Sequence, residues 1–191
     1  LTRTPAQEIF NAIIAECDKL STELPADYTK LGLDGIAPAE NGRVTCYAAL
    51  ALKARAALYA ASPLFNPGNN KDLWRRAAEA NKEVIETCTA NGFKLSKYSE
   101  LWGPNNWSNN EMIFVRRYNG NISTLEEYNF PMGVPGGNSG NCPTQNMVDA
   151  YEMKATGKMW NETGSGYDAS NPYAGRDPRF DMTIVKNGDT K

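Results

Sequence analysis

Eight aromatic side chains in the second half of the chain read as exposed: Trp102, Trp107, Tyr118, Tyr128, Phe130, Trp160, Tyr167 and Tyr173. Most of them stand beside Asn, Ser or Gly. That pairing of types suits carbohydrate. A sugar ring has apolar C–H faces and polar edges, so a flat aromatic covers the face while amides, carboxylates and guanidinium groups satisfy the hydroxyls. One stacked ring that buries about 100 Å² of apolar area contributes about 2.5 kcal/mol before the cost of association. The same rings could instead pin long loops onto a core. The segment Asn171 to Phe180, with Pro172, Gly175, Pro178 and an Arg176–Asp177 pair, reads as such a fixed turn.

Other chemistries find little support. There is no His, so the common serine triad is excluded, and the four cysteines form no CxxC pair that would suggest zinc. Cys17, Cys46 and Cys88 fall among apolar neighbours on helical stretches and read as buried thiols; spacing leaves Cys17–Cys46 and Cys46–Cys88 disulfides open. Asp149/Glu152 and Asp177/Asp181 are carboxylates three or four apart. Nothing beside them completes a glycosidase, and solvated or Arg-paired charges are the plainer reading. Gly133 to Asn141 lacks the Gly-Lys-Ser/Thr of a phosphate loop and reads as a surface loop. No calcium loop is recognisable, and neither a metal nor a cofactor is expected. With a net charge of −2 and a pI near 5.3, no basic surface calls for nucleic acid.

The elements that must position the aromatics lie upstream. Pro5 to Leu24 reads as a helix with Thr4 as its cap and a stripe of Ile9, Ile13, Cys17, Leu20 and Leu24. Val44 to Ala61 is dense in Ala, the best helix former, and is apolar on two faces, as expected of a helix covered from both sides. It stops at Ser62-Pro63, because proline disfavours helical geometry in the residue before it and lacks an amide to donate. Asp72 to Ala90 reads as a third helix that buries Trp74, Ala77, Ala78, Val84, Ile85 and Cys88 and stops at Asn91-Gly92. Beyond Phe93, short helices are expected at 94–102, 144–151 and from Asp177-Pro178, with buried strands at 111–117 and 182–186. The expectation is therefore a mainly all-α fold: a helical stack over residues 1–92, in which Trp74, Ala77 and Asn81 loosely match the first helix of a tetratricopeptide unit, with a loop-rich region over 93–191 that includes a few short strands.

The wording of these segments is also specific. RTPAQEIFNAIIAECDKLSTELP (Arg3 to Pro25), ALALKARAALYAASPLFN, the Trp74 helix, NEMIF (Asn110 to Phe114), TQNMVDAYEM (Thr144 to Met153) and NPYAGRDPRF occur in the order seen in the SusD/RagB family, which the chain resembles over nearly its whole length. The resemblance implies a tetratricopeptide-like α-α superhelix over residues 1–92 that supports a ligand-facing loop region over 93–191, in a non-catalytic, glycan-binding lipoprotein of the outer-membrane surface that caps a SusC-like TonB-dependent transporter. Family members are longer, so the chain reads as an internal or truncated portion; Cys17, within a helix, does not suit the lipid-bearing Cys. The family's ligand aromatics follow no fixed motif. The loops after NEMIF are the expected contact region, giving Trp107, Tyr118, Asn119, Tyr128 and Trp160 as ligand-binding residues. The stacked helices leave a second reading, a helical-repeat module for a protein or peptide ligand.

Overall fold

The structure, a computed structural model, describes residues 3–28, 43–102, 109–115 and 128–189. The chain divides into two compact units, Leu1–Arg117 and Tyr118–Lys191. The fold is mainly helical, with no strand among the described residues.

The first unit is built on α1 (Ala6–Glu23), α2 (Cys46–Ala61) and α3 (Lys71–Ala90), followed by a 3-10 helix at Tyr98–Trp102. Consecutive helices run antiparallel, and α2 packs against both of its neighbours, as its two apolar faces require. The alanines make this close approach available. Ala54, Ala56, Ala57 and Ala61 of α2 meet Ile14 of α1 and Ala77 and Ala80 of α3 in one core, bordered by Phe10, Ile13, Leu73 and Val84. Ser62 leaves helical geometry at φ −62°, ψ 153°, as Pro63 demands. Buried Asn66 then organises the turn into α3. Its side chain donates to the carbonyls of Ala61 and Asn70 and accepts from the Asn70 amide, while Gln7 of α1 reaches across to the carbonyls of Ala60 and Phe65. At the far end, Gly92 sits at φ +88° and the Gly92 and Phe93 amides return to the carbonyls of Thr89 and Cys88, a Schellman stop.

Several expectations need correction here. Pro5, not Thr4, precedes α1, and no side chain caps it. The buried stripe of α1 is Phe10, Ile13, Ile14 and Cys17, leaving Ile9 and Leu20 exposed, because α1 packs chiefly against α2 and its four-residue steps drift off that contact. Leu58 of α2 is also exposed. On α3 the face toward α2 carries Ala77, Ala80, Val84 and Cys88; Ala78 and Ile85 point outward, as does Trp74, whose indole N–H donates to Asn69 Oδ1 at 3.1 Å. Residues 111–115 are a turn, not a strand. Asn109 Oδ1 accepts from the Glu111 amide, and the Glu111 carboxylate accepts from the Ser96 amide, which holds the segment against the 3-10 helix approach instead of pairing it in a ladder. Residues 116 and 117 lie outside the described residues.

The second unit holds two short helices, α4 (Gln145–Asp149) and α5 (Pro178–Thr183). Thr144 caps α4 through its hydroxyl, and Asp177 caps α5 with Pro178 at its first position. That start carries helix through Thr183, so 182–186 is not a strand. Ile184 still bonds back to the Phe180 carbonyl, and Lys186 is held by Asp181 and Asp189. The core is small: Phe180, Val148 and Ile184, bordered by Tyr151 and Tyr173, with Tyr173 stacked on Phe180 at 5.9 Å. Extended pairing is limited to isolated bridges of Met153 with Lys158 and with Arg176.

Candidate functional site

Residues 128–140 form a loop closed on itself. The Gly140 amide donates to the Tyr128 carbonyl at 2.8 Å, Ser139 N–H to the Phe130 carbonyl at 2.8 Å, and the Met132 amide to Ser139 Oγ at 2.7 Å. Inside it, the Val134 amide bonds to the Pro131 carbonyl and the Gly137 amide to that of Val134. Two glycines are required by contact. A Cβ on Gly137 would strike the Pro131 carbonyl oxygen, and one on Gly140 would strike the ring of Tyr128. Tyr128 therefore rests directly on backbone, with 58% of the residue still exposed; Phe130 and Met132, two and four positions on, are also exposed. The Gly133 to Asn141 stretch is a surface loop, as expected, with a defined hydrogen-bonded shape.

Trp160 belongs to a second constellation. Thr156 Oγ1 donates to the Ser165 carbonyl, Ser165 Oγ to the Trp160 carbonyl, Lys158 Nζ to the Thr163 carbonyl, and the Met159 amide to the Glu162 carboxylate. This knot sets the indole edge-on to Tyr167 at 5.4 Å, and the Arg176 guanidinium lies 5.1 Å over the Tyr167 ring. Arg176 is buried and donates to the carbonyls of Tyr151 (2.9 Å) and Pro172 (3.1 Å). It does not pair with Asp177, as the sequence suggested. Asp177 is gripped through both carboxylate oxygens by Arg179, whose amide it also caps. Those bonds bring its carboxyl down to about 2.

Of the five ligand residues drawn from the sequence, Tyr128 and Trp160 are described, and they stand in these two separate contacts. Trp107, Tyr118 and Asn119 lie outside the described residues. Tyr173 is core. Three of the four paired carboxylates are engaged: Gln145 donates to Asp149, Arg179 holds Asp177, and Lys186 binds Asp181. Sequence reasoning missed that Tyr128, Phe130 and Met132 are all exposed on one hydrogen-bonded loop of bends and turns. It also missed the structural role of Arg176.

The first unit has its own concavity, a groove of 320 Å³ lined by Ile14, Asp18, Lys53, Arg76, Glu79 and Glu83, among others. Lys53 of α2 lies across it, 2.5 Å from Asp18 and 2.7 Å from Glu83. Among the described residues no cluster suits a metal ion, and no helix is long and apolar enough to cross a membrane.

Residues 104–191 match the model of the SusD family. No curated protein and no solved structure matched the chain.

Proposed function

From the match of residues 104–191 to the SusD family, whose members are generally non-catalytic binding proteins, we propose a glycan-binding component of an outer-membrane nutrient-uptake complex. Its ligand is a polysaccharide or oligosaccharide. Its partner is a SusC-like TonB-dependent transporter, and its place is the cell surface, reached through a lipid anchor. The observation that carries the reading is Tyr128: a large aromatic face, backed by Gly140, on a loop whose shape is fixed by its own hydrogen bonds. Fixing the platform before binding reduces the ordering cost of association. Trp160 offers a second ring, already oriented by Tyr167. Trp107, Tyr118 and Asn119 complete the proposed contact set. Replacing Tyr128 or Trp160 by Ala should weaken glycan binding about tenfold or more, the scale of one stacked ring, with helical circular dichroism unchanged. Unchanged affinity in both variants would remove them from the site.

A second reading has its own observation. The groove across α2 has an apolar floor and a charged rim, which suits a peptide ligand of a helical stack. Capture of a soluble polypeptide with no glycan binding would favour it.

A further inference from the structure

Four thiols are present and free: Cys17 and Cys88 are buried, Cys46 is half-buried, and Cys142 is exposed. Two of them, Cys46 at the start of α2 and Cys88 in the last turn of α3, fall at the same end of the α2–α3 hairpin. The register of that hairpin is fixed at Lys53, whose Nζ lies 2.7 Å from Glu83 Oε2. Cys46 lies about two helical turns before Lys53, on the same face of α2. Cys88 lies about one and a half turns beyond Glu83, on the stripe of α3 that carries Ala77, Ala80 and Val84 toward α2. In an antiparallel pair these offsets bring the first residue of α2 opposite the last turn of α3. The helices remain adjacent there, since Tyr47, next to Cys46, meets Phe93 just past α3 at 4.9 Å between ring centroids.

The packing distance also suits a bridge. Helix axes about 8–10 Å apart, less a Cα radius of about 2.3 Å on each side, leave facing Cα atoms about 3–5 Å apart, and somewhat more for residues beside the contact line. Disulfides need about 4.4–6.8 Å. Burial pushes the Cys88 thiol up, and the neighbouring Cys46 adds to it, consistent with two sulfurs in one neighbourhood.

We propose that Cys46 and Cys88 are a dithiol pair that oxidises to a disulfide clamping the open end of the α2–α3 hairpin. The oxidant is a disulfide, either a small thiol's or a protein's, as found in oxidising compartments. Cys46, the more accessible of the two, attacks as a thiolate and forms a mixed disulfide, releasing one oxidant thiolate. Cys88 then gives up its proton and attacks the Cys46 sulfur, expelling the second oxidant thiolate. The two cysteines lose two electrons and two protons, and the oxidant's disulfide is reduced to two thiols. The closed loop restricts the unfolded chain, so the oxidised form is the more stable. This inference is independent of the glycan reading.

The test is peptide mapping of the folded chain after exposure to oxidised glutathione, followed by alkylation and tryptic digestion without reduction. The expected product is peptide 44–53 joined to peptide 83–94 with the loss of two hydrogens, together with a rise in Tm that dithiothreitol reverses. The C88S variant, with helical circular dichroism intact, should retain glutathione on Cys46. Separate alkylation of Cys46 and Cys88 under conditions that oxidise Cys142 would overturn the proposal, as would a crosslink of either to Cys17.

Discussion

The ring of Tyr128 occupies the space that a side chain at position 140 would need, while the Gly140 amide donates to the Tyr128 carbonyl at 2.8 Å. Ring and glycine thus form one unit: backbone bonds bring the two segments together, and the missing Cβ lets the aromatic lie on them.

G140A tests that unit without touching the ring. The added methyl must displace Tyr128, so the variant should lose glycan affinity to about the extent of Y128A while the helices stay folded. Parallel titrations and far-ultraviolet circular dichroism check this. Wild-type affinity in G140A would show that the ring's seat is irrelevant to binding.

Lys53 joins all three long helices through Asp18 and Glu83. Burial works against its charge, but the hydrogen bonds to those two carboxylates outweigh it and raise its pKa above 10.5. K53A should cost about 1–3 kcal/mol in urea unfolding, since it leaves two half-exposed carboxylates close to one another. Because the folded-state pKa is the higher one, the Lys53 contribution is complete below about pH 10.5 and fades as the pH rises through the folded value. K53A should therefore narrow its stability gap to wild type in that alkaline range.

Arg176 is the polar centre of the second unit, holding the Tyr151 and Pro172 carbonyls beneath the Tyr167 ring. R176A should destabilise that unit by about 2–4 kcal/mol, because two carbonyls lose a charged donor and a buried guanidinium volume is emptied. R176K should recover only part of this, since an ammonium cannot lie over Tyr167 while donating in two fixed directions. Trp160, edge-on to Tyr167, gives the fluorescence signal that follows it.

Asp177 caps α5 and is chelated by Arg179, with its carboxyl at about 2. The sign follows from the depression. Its contribution is present above the unfolded value near 3.8 and is lost as the pH falls from there through about 2. D177A should remove this acid sensitivity and lower the unfolding midpoint at neutral pH; D177N, which keeps a capping oxygen, should lower it less. Acid titrations of the three proteins, followed by fluorescence, decide the order.

The sequence made α2 legible because its signals are local: alanine density, two apolar faces, and a proline after Ser62. The faces of α1 and α3 were not, because which stripe is buried depends on the neighbour. Ile85 and Trp74 are as apolar as Val84, yet only Val84 meets α2. The two strand expectations rested on short apolar runs, which tertiary bonds turned into an Asn109-anchored turn and an Asp177-capped helix. At the site, aromatic content and loop placement were readable. The Gly140 seat of Tyr128 and the grip of Arg176 on Tyr151 were not, since each joins residues that sequence spacing leaves unrelated.

The most direct test of the glycan reading is calorimetric titration of the folded chain with a panel of soluble polysaccharides and oligosaccharides, repeated for Y128A with the best ligand. The account predicts saturable binding by at least one glycan class and a loss of about tenfold or more in Y128A. No heat with any glycan, from a chain with intact helical circular dichroism, would contradict it.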